Sequence, residues 1–351
     1  WLRKDLTSTD SFDNRSFNSD LQYAYFDIPS NALKGIIKAG RVPIVEGVAT
    51  FENVDGLYIH SNALENFGFS LYGGVPVETD SDDRGGDFIY GGRISHTMQS
   101  LYTIGLSYLK EKNDSNDFRE EAGLDLTVTP LKNLDIYGRS IYNVDTSGWM
   151  EHYYYARYLY SDFTFGAEFS WYDYEHFFSA KTNNAFRFDE DLIDPDEKVF
   201  AFGGKVGYLI KDGLTVSADY KKYSYDIQGN ADYFGAEIQY DFAENWGGGL
   251  SVHRMKGKEK EHKYYTARFY LYGQVAKTDL TLDLINDHYD EKRNGVKNAY
   301  TLSLAATRNL TDNLRLGADL SYSHNPEFDS DLRVFAKLLY SFSASYKGGG
   351  L

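Results

Sequence analysis

Polar and apolar residues alternate at every second position through long stretches of this chain. The run 332–342 has Leu, Val, Ala, Leu, Tyr and Phe at its even positions, with Arg333, Lys337 and Ser341 between them. Successive side chains on a β-strand point to opposite faces, so such a run predicts a strand with one apolar face and one polar face. The runs are about a dozen residues long, whereas strands of soluble proteins average about 5–6 residues. An unbroken series of such long strands is typical of a transmembrane β-barrel.

The aromatic content supports this interpretation. Aromatic residues make up 17% of the 351 residues, and they gather near the ends of the runs, as at Tyr153–Tyr155 and Tyr264. Aromatic girdles at the two lipid–water boundaries of a barrel have this placement. A mean hydropathy of −0.51 is compatible with a barrel, because only alternate residues of its strands face lipid. No stretch approaches the ~20 apolar residues of a membrane-spanning helix, which excludes a helical membrane protein.

Charge and cysteine content exclude further classes. A net charge of −16 argues against binding to nucleic acid, which requires a basic face. The absence of cysteine rules out disulfides, thiolate metal sites and covalent haem attachment. The sequence begins at Trp1, and we interpret it as mature or trimmed, with a secretion signal already removed.

The alternation predicts one domain, residues 1–351, folded as an all-β, antiparallel up-and-down transmembrane barrel of about 20 strands, with about 18 as the alternative. The predicted spans are 1–6, 20–28, 34–42, 54–61, 67–75, 86–95, 99–110, 117–129, 132–143, 149–160, 162–174, 198–210, 213–225, 230–242, 246–257, 260–274, 277–289, 296–308, 312–324 and 331–342.

The connections between these spans alternate in character. Tight ones, such as Ser161–Asp162 and Lys211–Gly213, predict short periplasmic turns. Longer, acidic ones predict extracellular loops, at 76–85, 111–116, 175–197, 290–295 and 325–330. A secreted β-sandwich array or a β-helix would show far less regular alternation between short and long connections.

The end of the last strand resembles a known signal. Lys337–Phe342 alternates apolar residues and closes on an aromatic residue, as outer-membrane barrels do at their C-terminus, although here Ser343–Leu351 follow. Together with the strands, the whole chain resembles a bacterial outer-membrane porin-type β-barrel. The resemblance implies a location in the bacterial outer membrane and a channel through a polar lumen.

Parity assigns the side chains that would line such a lumen. Leu124 and Leu126 must face lipid, because a charge near the midplane costs about 2–4 kcal/mol, and the intervening residues then face inward. The candidate pore-lining residues are Arg139, Glu151, Arg157, Glu168, Lys205, Asp219, Glu237, Arg268, Asp283, Arg315, Asp319, Arg333 and Lys337.

These candidates carry both signs of charge. They would either order polar solutes through a transverse field or only stabilise the wall by pairing across strands. The pairing expected near the C-terminus sets Arg315 and Asp319 against Arg333 and Lys337.

The longest connection, 175–197, is the candidate constriction. Porins often fold one long loop into the lumen, and this loop combines aromatic and acidic residues. The constriction candidates are Phe178, Phe186, Asp189, Glu190 and Asp191. Its acidic half does not match an EF-hand, which needs glycine at its sixth position.

Catalysis and resident metals are not expected. The sequence has no H-E-x-x-H motif, nucleophile elbow, P-loop or dinucleotide fingerprint. Six of the eight histidines fall near the predicted outer ends of strands, and we interpret them as polar rim residues.

Two functions remain. The first is a passive porin for small polar solutes or ions, in contact with outer-membrane lipid and lipopolysaccharide and able to form homo-oligomers. The second starts from the width of a lumen of about 20 strands without a plug domain. Such a barrel resembles the insulating sheath of a porin–cytochrome complex, in which a multihaem cytochrome inside the lumen would carry electrons. Haem would then belong to the partner, which agrees with the lack of cysteine.

Overall fold

The computed structural model describes residues 2–3, 18–19, 23–77, 86–113, 115–177, 194–326 and 328–340. It divides into two compact units. Unit 1 comprises residues 1–156 and 169–199, and unit 2 comprises residues 157–168 and 200–351.

The described residues are almost entirely β-strand. Unit 1 contains β1 (Leu2–Arg3), β2 (Asn18–Ser19), β3 (Ala24–Ser30), β4 (Gly35–Glu46), β5 (Ala49–Ser61), β6 (Phe67–Pro76), β7 (Phe88–Met98), β8 (Tyr102–Asn113), β9 (Asn116–Leu131), β10 (Leu134–Asn143) and the short helix α1 (Tyr174–Phe177). Residues of both units belong to β11 (Gly148–Tyr160), β12 (Phe163–Asp173) and β13 (Lys198–Lys211). Unit 2 contains β14 (Leu214–Tyr225), β15 (Gly229–Ala243), β16 (Trp246–Gly257), a 3-10 turn (Lys260–His262), β17 (Lys263–Val275), β18 (Thr278–Arg293), β19 (Val296–Thr311), β20 (Leu314–Asn325) and β21 (Phe328–Tyr340).

Consecutive strands pair in antiparallel fashion. In unit 1 the pairing runs without interruption from β3 to β10. In unit 2 it runs from β14 to β21. The predicted all-β, up-and-down antiparallel fold is therefore confirmed. In the described part of the chain, no helix is long and apolar enough to cross a lipid bilayer.

The strands β3–β21 correspond one to one with 19 of the predicted spans. The remaining span, 1–6, lies outside the described residues except for Leu2–Arg3. Period-two patterns locate these strands well because polar and apolar residues alternate along most of their length.

Several strands extend further than the sequence predicts. β18 ends at Arg293 and β19 begins at Val296, so most of the expected loop 290–295 is strand. The turn between them is Asn294–Gly295, with φ angles of 46° and 83°. Asn-Gly tolerates the positive φ angles that a two-residue hairpin turn demands, which lets both strands continue to the turn.

Candidate functional site

The strand register of unit 2 defines one polar face. Residues directly opposite each other on paired strands share a face. Ser217 lies opposite Glu237, which lies opposite Ser251, which in turn lies opposite Arg268. Followed through β18–β21, this register places eight predicted pore-lining residues on one face: Asp219, Glu237, Arg268, Asp283, Arg315, Asp319, Arg333 and Lys337.

Further candidates join this face through ion pairs. Lys205 Nζ lies 3.1 Å from Glu237 Oε2, and Glu168 forms an ion pair with Lys221. Arg157 lies in β11. The remaining two candidates belong to unit 1, where Arg139 forms an ion pair with Glu151.

Opposite charges pair along the polar face of unit 2. Arg268 binds Asp283 with two hydrogen bonds of 2.6 and 3.0 Å. Arg315 lies 3.6 Å from Asp279, and Arg333 pairs with Asp331 on its own strand. These partners differ from the pairing expected between β20 and β21. Such half-exposed pairs contribute about 0.2–1 kcal/mol each, so they produce a hydrated wall of mixed charge.

Tyrosine rings lie against this face where a strand offers glycine. A Cβ atom at Gly249 would lie 2.6 Å from the ring of Tyr270, so only glycine leaves room for that ring. Arg268 in turn lies over the Tyr270 ring, 5.3 Å from its centroid. The combination presents aromatic surface and charge side by side.

The polar face of unit 1 carries an additional element, which we call the docked hairpin (residues 42–54). Among the described residues, β3 pairs with β4 as far as Arg41, and β6 pairs with β5 from Val54 onward. Between these limits β4 and β5 pair with each other and turn at Gly47, whose φ is 60°. The docked hairpin therefore extends beyond the described residues of β3 and β6.

The tip of the docked hairpin contacts β8 and β9. The Val48 N–H donates a hydrogen bond of 3.1 Å to Ser107 Oγ. A Cβ atom at Gly123 would lie 2.5 Å from Val48 Cγ1. Ser107 lies opposite both Gly123 and Arg93 in the register, so the tip packs on the face that carries Arg93. Glycine at position 123 provides the space for this close approach.

A buried apolar cluster holds the docked hairpin in place. The cluster consists of Val42, Ile44, Val48, Ala49, Val54, Tyr72, Ile89, Leu109, Ile141 and Met150. Ile89, Leu109 and Ile141 occupy positions on the strands that parity assigns to the polar face. Full burial of each large aliphatic side chain stabilises the packing by about 1.5–3 kcal/mol.

An ion cluster joins the docked hairpin to the sheet. Arg119 Nη2 lies 2.7 Å from Glu52 Oε1, and Arg119 Nε lies 3.4 Å from Glu111 and 3.6 Å from Glu121. The Arg119 side chain is only 2% exposed. A single guanidinium therefore compensates three carboxylates, one of which belongs to the docked hairpin.

Sequence reasoning missed the docked hairpin, because Pro43 and Gly47 made residues 43–53 resemble a connection. The signal that could have revealed it is the set of aliphatic residues at polar-face positions of β7, β8 and β10. The five constriction candidates of the long loop, Phe178, Phe186, Asp189, Glu190 and Asp191, lie outside the described residues.

One group of side chains next to α1 has the composition of a metal site. Ligand atoms of Asp173, Glu175 and His176 lie within 4.8 Å of one another. Lys198 Nζ lies 2.9 Å from Asp173 Oδ2, so an ammonium group already neutralises the buried carboxylate.

A measurement of ion selectivity tests whether the basic residues of the polar face influence which ions pass. We expect the double variant R315A/R333A to shift selectivity toward cations, because Asp279 and Asp331 would lose their positive partners. The reversal potential across a planar bilayer in a KCl gradient measures this shift. The variant R254A, on the opposite face, should leave the potential unchanged, and an unchanged potential in the double variant would refute the role in selectivity.

No protein-family model matches the sequence, and no curated protein does. Among solved structures, OccK5 (OpdH) of Pseudomonas aeruginosa is 11% identical over 83% of this chain and 92% of that chain, with a TM-score of 0.49. A triple mutant of the Rhodopseudomonas blastica porin is 13% identical over 73% of this chain and 91% of that chain, with a TM-score of 0.39.

These likenesses are distant, and the fold assignment rests on the strand pairing. The long antiparallel up-and-down strands, each with one polar and one apolar face, confirm the resemblance to outer-membrane porin-type barrels that the sequence predicts.

Proposed function

We propose that this protein is an outer-membrane channel for small polar solutes or ions. The observation that carries the proposal is the segregation of charged and aliphatic side chains onto opposite faces along the middle of the strands of unit 2. The polar face holds paired charges and tyrosines, while the opposite face exposes aliphatic side chains such as Val334 and Leu338, which are 67% and 65% exposed. Lipid around the apolar face and water along the polar face would satisfy both.

The residue types on the apolar face, as well as their exposure, favour insertion into a membrane. Leu250, Phe269, Leu284 and Leu302 follow one another in register across β16–β19. Each charged residue placed at their depth in a bilayer would cost about 2–4 kcal/mol, and this register row contains none.

The docked hairpin supports a narrow channel. It covers part of the polar face of unit 1 and buries Ile89 and Leu109 there. A narrowed passage suits small solutes and conflicts with the second candidate, an insulating sheath around a multihaem cytochrome, which needs an unobstructed polar face. We therefore favour the channel.

Planar-bilayer recording and visible spectroscopy test this proposal together. We expect the purified protein to produce discrete conductance steps and to show no haem Soret band after extraction from its native membrane in mild detergent. A haem Soret band that co-purifies in fixed ratio with the barrel would overturn the channel in favour of the sheath.

A further inference from the structure

The apolar face of unit 2 ends in a row of aromatic and basic side chains. Tyr220 lies opposite Phe234, which lies opposite Arg254, which lies opposite Tyr265. The next row toward the connections 226–228 and 258–262 is more polar. It contains Lys222, Asp232, Lys256 and Lys263 in direct register.

In the opposite direction along the same strands, the next two rows of this face contain only apolar residues. The row two residues below Tyr220 contains Ala218, Ala236, Val252 and Ala267, and the following row contains Val216, Ile238, Leu250 and Phe269. Aromatic residues concentrate where hydrocarbon meets the headgroups of a bilayer. The aromatic row therefore marks the lipid–water boundary, with the three lysines at headgroup height.

The two aspartates of this region, Asp232 within the lysine row and Asp290 on β18, already have hydrogen-bond partners. Arg254 binds Asp290 through two hydrogen bonds of 2.6 and 2.7 Å, and its guanidinium lies over the Tyr265 ring, 4.2 Å from the centroid. The Tyr220 hydroxyl donates to Asp232.

Unlike these aspartates, the three lysines of the row have no ion-pair partner among the described residues. In the described part of the chain, Lys222, Lys256 and Lys263 form no ion pair within 4 Å. Lys222 and Lys256 are exposed, and Lys263 is half-buried. The patch thus offers three ammonium groups on the outward face of a chain whose net charge is −16.

We propose that Lys222, Lys256 and Lys263 bind the phosphate groups of a phosphorylated glycolipid, the lipid A part of lipopolysaccharide. The inference rests on the proposed outer-membrane location. The charge of the lipid complements the patch, and the aromatic row sets its acyl chains against the apolar face. The patch also lies at the strand ends joined by the connections 226–228 and 258–262, the class expected outside the cell, where lipid A resides.

Native mass spectrometry of the full-length protein with added lipid tests the assignment. Diphosphoryl lipid A should bind the unmodified chain, and the variant K222Q/K256Q/K263Q should bind it about a hundredfold more weakly, because each basic group near a membrane surface contributes substantially to headgroup affinity. The matched control K132Q/K211Q/K277Q removes three charges near other turns and should retain full affinity. Dephosphorylated lipid A should bind both proteins equally weakly.

Three results would overturn the inference. These are equal affinity of the triple variant and the unmodified chain, equal affinity for lipid A with and without phosphate, and binding of phosphatidylglycerol as tight as that of diphosphoryl lipid A. Conductance measured in a bilayer free of lipid A shows whether the channel proposal holds independently of the lipid A site. A chain that conducts normally but ignores lipid A refutes only the lipid site.

Discussion

Replacing residues 43–53 with an Asn-Gly turn should raise the single-channel conductance by about a factor of two or more, since pore dimensions and lining set conduction. Val42 and Val54 lie directly opposite each other, so a two-residue turn can join them without changing the register. The deletion removes the tip that packs against Ser107 and Gly123 and uncovers the polar face of unit 1. Planar-bilayer recording of the shortened chain measures the effect.

A cysteine pair supplies the control for the docked hairpin. The chain has no cysteine, and the variant V48C/S107C would link the tip of the docked hairpin to β8, because the Val48 N–H already lies 3.1 Å from Ser107 Oγ. We expect the oxidised variant to conduct like the unmodified chain, because the disulfide holds the hairpin where it already lies. An unchanged conductance after deletion would contradict the constriction, and a large drop on oxidation would show that the hairpin leaves the sheet during conduction.

The substitution R119A should lower the free energy of unfolding by about 3–5 kcal/mol, because it leaves buried carboxylates without their cation. Glu52, Glu111 and Glu121 all lie within 3.6 Å of this guanidinium. Urea unfolding in detergent micelles, followed by tryptophan fluorescence, measures the loss.

Two comparisons identify the cause of this destabilisation. R315A removes an arginine that is 50% exposed and should cost less than about 1 kcal/mol. R119A/E52Q/E121Q should recover part of the stability lost in R119A, because the glutamines remove the uncompensated charges. Equal losses in R119A and R315A would show that the buried cluster does not hold the hairpin.

The strands and their faces could be predicted because their signal is local. In β20 and β21, the even residues of 314–322 and 332–340 are apolar and Arg315, Asp319, Arg333 and Lys337 are odd, and the register places these four charged residues on one face. Bilayer energetics enforce this period strand by strand, so no knowledge of distant contacts is needed.

The ion-pair partners could not be predicted in the same way. Sequence reasoning set Arg315 against residues of β21, whereas its guanidinium reaches Asp279 on β18. Long side chains on a sheet choose among several strands, and that choice depends on side-chain reach and register, which parity does not encode.

By itself, the sequence determined the fold class, the position of 19 strands and the shared face of eight charged candidates in unit 2, because side-chain alternation and lipid exclusion act over a few neighbouring residues. Only the tertiary structure decided that residues 42–54 fold onto the polar face. That decision depends on Val48 meeting Ser107 and on Glu52 meeting Arg119, contacts between residues 59 and 67 positions apart in the chain. Burial of apolar surface and of an arginine among three carboxylates is a property of packing, and it appears only when distant strands are brought together.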